Sequence, residues 1–143
     1  MSEVKTYNPK KNIVIFGGRQ LTGFSDKDII SIKPNGDGIK RYVGADGEVG
    51  RALDPDDTYE IELSLAGTSS SNDYLSNCYN NDKKTGNGMK PLIIKDLGGS
   101  TMFFAKQAWV KKIADGKRGK EIDTNKWILN TGAIDAPVLG GND

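Results

Sequence analysis

Apolar and polar side chains alternate most strictly in the middle of the chain, between Thr58 and Leu65. One set of alternate positions is apolar and the other is polar: Tyr59, Ile61, Leu63 and Leu65 against Thr58, Glu60, Glu62 and Ser64. A period of two is typical of a strand that buries one face and leaves the other in water. The pattern therefore predicts a two-faced strand with Glu60 and Glu62 on its solvated side.

Shorter apolar runs predict further strands along the chain. They cover residues 13–16, 19–22, 29–33, 39–43, 89–95, 101–113 and 122–130. Gly17-Gly18 and residues 35–38 (NGDG) are strong turn signals between them. Residues 44–55 are rich in glycine and charge and predict a loop or an extended hairpin, with tips at Asp46-Gly47 and Asp54-Pro55. Many short strands joined by turns indicate a mainly β chain.

One helix is predicted after the two-faced strand. Residues 69–73 (SSSND) are dense in the side chains that cap helix N-termini, and Leu75, Cys78 and Tyr79 follow at helical spacing. Residues 86–88 (GNG) predict its end. The apolar side chains should face the sheet, so the opposite side should face outward; it carries Asn77, Asn80, Asn81 and Lys84.

Composition bounds the class of protein. The 143 residues suit a single domain, 1–143, with an extended arm at 1–11 and an irregular, Gly-rich tail at 131–143. A total of 20 basic and 19 acidic residues gives a net charge of +1, which argues against a dedicated DNA or membrane binder. We find no apolar segment near the start and no run of ~18 apolar residues, so we expect neither a signal peptide nor a membrane span. We expect the protein in the cytosol, or in a particle assembled there.

Catalytic and metal-binding patterns are missing from the sequence. The chain has no histidine, which removes the commonest general base and most zinc sites, and Cys78 is its only cysteine. Residues 18–23 have the glycine spacing of a phosphate-binding loop, but Phe24 stands where the lysine is required. We interpret one carboxylate cluster as a solvated loop tip rather than a metal or acid–base site: Asp54, Asp56 and Asp57. We therefore expect no enzyme activity, no cofactor and no metal.

Two further features leave alternatives open. The main basic concentration fits contact with nucleic acid or an acidic partner, and it also fits a solvated edge hairpin whose lysines block strand pairing. It consists of Lys106, Lys111, Lys112, Lys117, Arg118 and Lys120. Trp109 and Trp127 lie in alternating strands, which favours core anchors over a platform for ligands.

Five segments occur in a characteristic order: GADGEVGR (44–51), the strand 59–65, SSND (70–73), PLIIKDLGG (91–99) and Lys126-Trp127. In the order and spacing of these segments the chain resembles the tail tube proteins of long-tailed bacteriophages, in particular a family of small structural proteins of contractile tails. The resemblance covers about residues 7–130. The turn at 115–120 is more basic than that family leads us to expect, which affects only the charge of the surface that carries it.

This resemblance implies a mainly β fold, a β-sandwich or β-barrel with one α-helix, whose inner strands join a barrel across subunits. It implies a structural subunit of hexameric rings that stack into a hollow tube, through which genomic DNA passes without specific binding. Its partners would be further copies, the tail sheath protein, and the baseplate and tail terminator proteins. The protein would be located in the virion tail after assembly in the host cytoplasm, with no membrane partner.

The resemblance also gives three sets of residues a role. The 44–55 segment would reach the adjacent ring through charged contacts of Asp46, Glu48, Arg51, Asp54 and Asp56. Glu60 and Glu62 would line the lumen as acidic rings, with an outward, sheath-facing position as the alternative. The outer helix side, Asn77, Asn80, Asn81 and Lys84, would face the sheath. The alternative function is a β-sandwich module on a phage tail that binds carbohydrate or cell wall, which an exposed Trp109–Trp127 platform would favour.

Overall fold

The computed structural model describes Val4, Asn8 and residues 12–25, 30–116, 119–120 and 123–141. Most of the predicted arm at 1–11 lies outside the described residues, as do the predicted first residues of two strands, 29 and 122. Within the described ranges the chain forms nine strands and one helix. They are β1 (Asn12–Phe16), β2 (Arg19–Gln20), β3 (Ile30–Pro34), β4 (Ile39–Val43), β5 (Val49–Leu53), β6 (Tyr59–Ala66), α1 (Ser71–Thr85), β7 (Lys90–Asp96), β8 (Met102–Lys112) and β9 (Thr124–Thr131).

Seven strands form one sheet in the order β2-β1-β7-β8-β9-β6-β3, and β4 and β5 form a separate hairpin. Every neighbouring pair is antiparallel. The predicted mainly β fold with one helix is therefore confirmed. In the described part of the chain, β2 and β3 end the sheet on its two sides, so the sheet does not close into a barrel by itself. The segment after β2 reaches the other side of the sheet, where Phe24 forms an isolated antiparallel bridge with Leu65 of β6.

Strand β6 has the burial that its sequence pattern predicts except at Ser64, which is predicted on the solvated face and is buried. Ile61, Leu63 and Leu65 are fully buried, whereas Glu60 and Glu62 are half-buried on the opposite face. Strand β2 is shorter than the predicted return at 19–22. The turn before it is tight because Gly17 and Gly18 both take positive φ angles, 63° and 83°. Leu21 lies just beyond β2, with a buried side chain and a 2.8 Å bond from its N–H to the Val14 carbonyl.

The core covers one face of the sheet and includes Trp127, which is 1% exposed. Its indole N–H donates a 2.9 Å hydrogen bond to Asn72 Oδ1. Trp109 does not join this core and is half-exposed on the other face. The reason is a bulge in the β7–β8 ladder, where Lys90 and Leu92 pair with Ala108 and Ala105. One extra residue on β8 reverses the alternation, so the prediction of a core anchor is right for Trp127 and wrong for Trp109.

Helix α1 closes the core over the sheet. Leu75 and Cys78 are buried, and Tyr79 packs against the core from a half-buried position. The helix ends as predicted, at Gly86, whose φ of 74° lets its N–H donate a 2.7 Å bond to the Asp82 carbonyl. No helix among the described residues is long and apolar enough to cross a membrane.

The polar residues at the helix start bond to its first turn and also join it to the rest of the fold, and Ser69 Oγ accepts a 3.1 Å bond from the Ser71 N–H. Ser70 is the N-cap residue, and its side chain makes no capping bond. Instead Ser71 Oγ accepts a 2.9 Å bond from the Thr22 N–H, and the Asn72 amide donates to the carbonyls of Ala66 and Ser69 at 2.9 and 3.0 Å. The helix position is thus fixed by tertiary hydrogen bonds.

Part of the predicted irregular tail at 131–143 runs beside the start of β8. Met102 and Val138 exchange two backbone hydrogen bonds of 2.8 and 2.9 Å. Thr101 Oγ1 also accepts a 3.1 Å bond from the Gly140 N–H. These bonds hold residues 138–140 against the sheet.

Candidate functional site

Three surfaces point away from the core. The first is the hairpin formed by β4 and β5, residues 39–53. The second is the open face, which we define as the face of the seven-stranded sheet opposite the core. The third is the outer helix side, which carries Asn77, Asn80, Asn81 and Lys84. Each contains residues that the sequence predicts to be functional, and each presents a different chemistry.

The hairpin accounts for most of the segment predicted as a loop or an extended hairpin. Its turn is closed by a 2.8 Å bond from the Gly44 N–H to the Glu48 carbonyl, and Gly47 takes a φ of 85°. Asp46-Gly47 is therefore the tip, as predicted. Asp54-Pro55 is not a second tip, because it lies at the base, where the chain returns to β6. Neither hairpin strand pairs with the large sheet.

Large apolar side chains cover much of the hairpin while remaining exposed. Ile39, Tyr42, Val43, Val49 and Leu53 are between 56% and 71% exposed. A two-stranded hairpin is at best marginally stable alone in water. Exposed apolar surface of this kind typically marks an interaction site. The hairpin is therefore a surface that another molecule can complete.

Two of the five predicted inter-ring residues have roles inside the subunit. Asp54 accepts bonds from the backbone N–H groups of Asp37 and Asp56, at 2.7 and 2.9 Å. These two bonds lower the pKa of Asp54. Asp56 accepts bonds from the N–H and hydroxyl of Thr58, at 3.0 and 2.6 Å. Both carboxylates shape the base of the hairpin, and no group of side chains in the described residues forms a metal donor set.

The other three predicted inter-ring residues lie nearer the tip and are exposed. Asp46 accepts a 3.2 Å bond from the Glu48 N–H, which shapes the turn. The side chains of Glu48 and Arg51 have no hydrogen-bond or ion-pair partner within the described ranges. These two are free for intermolecular contact.

Glu60 and Glu62 lie on the open face, and lysines from β3, β8 and β9 surround them. Lys111 Nζ is 3.2 Å from Glu60, and Lys33 and Lys126 Nζ are 2.9 and 3.9 Å from Glu62. The hydrogen bond from Lys33 is the largest cause that lowers the pKa of Glu62, and the same bond raises the pKa of Lys33. The side chains of the glutamates are 21–26% exposed and those of the lysines 47–62%. This part of the open face is therefore a set of ion pairs and not a purely acidic strip.

The other half of the open face is mainly apolar. Ile13 and Ile15 on β1 and Ile93 on β7 are half-buried there, and Phe104 and Met102 on β8 are exposed. Lys95 adds one charge to this half. The open face thus has a charged half on β3, β6, β9 and the end of β8, and a mainly apolar half on β1, β7 and the start of β8. The sequence pattern of single strands does not reveal this division, because it arises from strand order.

All four residues of the outer helix side are exposed. They lie opposite Leu75 and Cys78, as the helical spacing requires. Their orientation is therefore outward, whereas contact with a sheath stays a prediction. The outer side carries amides and one cation, with no large apolar side chain.

One interpretation of the basic segment is a solvated hairpin at the edge of the sheet, and the edge position is wrong. Strands β8 and β9 are central in the sheet, so its lysines do not protect an edge. Lys111 pairs with Glu60, and Lys106 and Lys112 are exposed. Lys117 and Arg118 lie outside the described residues.

Comparison with known sequences gives a family match and a related protein. A family model described as the Bacteriophage PhiTE tail tube protein matches residues 15–140. Structural protein ORF10 of Pseudomonas phage KPP10 is 29% identical over 133 residues, covering 87% of this chain and 77% of that protein.

Similar folds occur in cryo-EM structures of contractile injection systems. The sheath/tube terminator of an extracellular contractile injection system, PVC, in its extended state has a TM-score of 0.61 at 12% identity, covering 94% of this chain and 98% of that one. The PVC sheath-tube complex in its extended state gives 0.59 at 13% identity, with 93% of each chain covered. The tube-terminating cap of the anti-feeding prophage gives 0.60 at 12%, covering 94% and 93%. At these low sequence identities, the comparisons show a similar fold and nothing more.

Proposed function

The chain belongs to the Bacteriophage PhiTE tail tube protein family, and from that premise we propose that six copies close into a ring and that rings stack into a DNA-conducting tube. A structural role in a phage tail follows from the family. The ring and the tube are supported by one observation above all. The described chain leaves a sheet with two unclosed edges and a hairpin whose apolar side chains are exposed.

Ring closure would pair the free sheet edges of neighbouring copies. Edge strands present unpaired N–H and C=O groups and invite pairing with another chain. A heterologous contact that closes after a fixed number of copies gives a ring with cyclic symmetry. Joining the open sheets in this way would produce one barrel shared by all subunits.

Ring stacking would use the hairpin. It projects beyond the sheet that would form the ring, and its apolar side chains need a cover that the rest of the described chain does not supply. In this arrangement Asp46, Glu48 and Arg51 make contacts to the adjacent ring. Asp54 and Asp56 act indirectly, because they hold the base of the hairpin in place.

The open face would line the lumen. Its charged half pairs Glu60 and Glu62 with Lys33, Lys111 and Lys126, so we do not expect the acidic rings that the two glutamates alone suggest. The ion pairs reduce the attraction of these lysines for DNA, whereas a strongly basic wall of unpaired lysines would bind the phosphates. The lumen would therefore conduct DNA without binding it specifically.

The outer helix side would face a sheath, and the tube ends would meet baseplate and terminator proteins. The sheath-tube and terminator assemblies that contain similar folds support these partners. We place the protein in the virion tail, assembled in the host cytoplasm. The proposed role needs no enzyme activity and no cofactor.

The alternative, a binding module for carbohydrate or cell wall, receives less support from the structure. That function would be favoured by Trp109 and Trp127 on one exposed platform. Trp127 is instead buried, and the two rings lie on opposite faces of the sheet. No other observation favours this alternative.

Electron microscopy of the purified chain tests the proposal. We expect negative-stain images to show tubes about 10 nm wide, the width that a ring of six domains ~30–40 Å across would give. A matched sample at low concentration should contain rings or monomers. A monomer that persists at high concentration, with neither rings nor tubes, would contradict the proposal.

A further inference from the structure

The hairpin carries two arginines directly opposite each other. Arg41 on β4 and Arg51 on β5 are Cα partners in the antiparallel ladder, so both side chains lie on the same face. Both residues are exposed, and neither has an ion-pair or hydrogen-bond partner in the part of the chain that is described. Like charges in directly opposite positions destabilise a strand pair. The pair therefore weakens the isolated hairpin.

Apolar pairs flank the two arginines on the same face. Ile39 pairs with Leu53 on one side, and Val43 pairs with Val49 on the other. All four are more than half exposed. The face is therefore a band of two guanidinium groups between two apolar patches. Such a band matches a protein surface that offers both carboxylates and apolar side chains.

Carboxylates lie at both ends of the same hairpin. Asp46 and Glu48 are at the tip, and Asp54, Asp56 and Asp57 are at the base, with the arginines between them. Glu48 and Asp54 are each three residues from Arg51, or ~10 Å of strand, and Asp57 is six residues from it. Two copies displaced along the hairpin by one of these distances would place the arginines of one beside a carboxylate of the other. Charge complementarity thus favours a second copy as the partner, whereas a polyanion would meet acids on both sides of the arginines.

We propose that Arg41 and Arg51 together bind a carboxylate at one end of the hairpin on a second copy of this chain, either Glu48 at the tip or Asp57 just beyond the base. These two are exposed acids at the hairpin ends whose side chains have no partner among the described residues. A carboxylate between two guanidinium groups accepts charge-assisted bonds from both and relieves their repulsion. The inference rests on the proposed tube, since it specifies how its rings recognise each other.

One variant, Arg51→Glu, can change assembly without harming folding, because the two arginines face each other within the hairpin. Arg51→Glu replaces a like-charge pair by an opposite-charge pair within the hairpin, so the subunit should stay folded with an unchanged or higher unfolding temperature. The carboxylate site is then neutralised within the subunit. We expect the concentration needed for tube formation to rise about tenfold or more, and a tenfold change corresponds to ~1.4 kcal/mol. Arg51→Lys keeps the positive charge but loses the planar guanidinium group that can donate two parallel hydrogen bonds. We therefore expect a smaller rise in the concentration needed for tube formation.

A control with the same charge change is Lys83→Glu, on an exposed helix position, which should assemble like the unaltered chain. The partner is identified by adding Glu48→Lys or Asp57→Lys to Arg51→Glu. We expect one of these double variants to restore tube formation. Pelleting of tubes and negative-stain microscopy measure the outcome, with circular dichroism to verify folding.

The outcomes distinguish this inference from the proposed function. If the unaltered chain forms tubes and Arg51→Glu forms them at the same concentration, this inference is wrong and the proposed function is unaffected. If neither double variant restores assembly, the assignment to the second copy's hairpin is wrong. If Arg51→Glu assembles normally but its tubes bind a DNA duplex more weakly, the arginines contact nucleic acid instead. If the unaltered chain forms no tubes, the proposed function itself fails.

Discussion

Replacing Asn72 with Ala should destabilise the subunit more than its position at a helix start suggests. The Asn72 side chain accepts the indole N–H of buried Trp127 and donates to two backbone carbonyls. Its loss leaves the indole N–H without a partner in the core, which costs about 1–3 kcal/mol. The two other bonds are partly exposed and add less. We expect a loss of about 2 kcal/mol, or roughly 4–8 °C in unfolding temperature for a chain of this size.

A double-mutant cycle shows whether this loss arises from the Trp127 bond. Trp127→Phe removes the same donor, together with part of the ring, so its cost and that of Asn72→Ala should overlap. We expect the double variant to be more stable than the sum of the two single effects predicts, by about 1 kcal/mol. Chemical unfolding of the monomeric subunit gives the four free energies. Asn77→Ala, on the exposed helix side, is the matched control and should change stability by less than about 0.5 kcal/mol.

Two results would refute this reasoning. One is an Asn72→Ala variant as stable as the Asn77→Ala control. The other is strict additivity in the cycle, which would mean that the indole N–H finds another partner. Either would show that the helix position is fixed by apolar packing of Leu75 and Cys78 rather than by the hydrogen bonds at its start.

Three further predictions concern assembly. Deleting residues 46–53 should leave a folded subunit, seen by circular dichroism, that forms rings but no tubes; normal tubes would assign the hairpin another role. Reversing Glu60 and Glu62 to Lys should preserve tubes but slow DNA ejection, less so at high salt; unchanged ejection kinetics would remove both residues from the lumen. Asn80→Lys with Lys84→Glu should reduce sheath binding while bare tubes form normally; sheath binding equal to that of unaltered tubes would place the contact elsewhere.

The sequence predicts well whatever depends on local periodicity. The two faces of β6 follow from alternate residues, and the end of α1 follows from the glycine that takes positive φ. The predicted strands at 39–43 and 89–95 match β4 and β7 to within one residue. Each of these features is decided by neighbouring residues, which is why pattern alone identifies them.

Features that depend on strand order, or on a single inserted residue, cannot be predicted from the pattern of apolar and polar residues. The bulge in β8 moves Trp109 to the open face, although its spacing fits the core. The lysines that surround Glu60 and Glu62 come from β3, β8 and β9, which are distant in sequence. The opposition of Arg41 and Arg51 depends on the register of the hairpin. None of these could be predicted without the pairing of the strands.

A cryo-EM reconstruction of tubes formed by the purified chain tests the central claim most directly, namely that further copies complete the open sheet and the hairpin. We predict six subunits in each ring, a continuous barrel with Glu60 and Glu62 facing the lumen, and each hairpin packed against the adjacent ring. A reconstruction in which the open face lies on the exterior and the hairpin contacts no other copy would contradict the account.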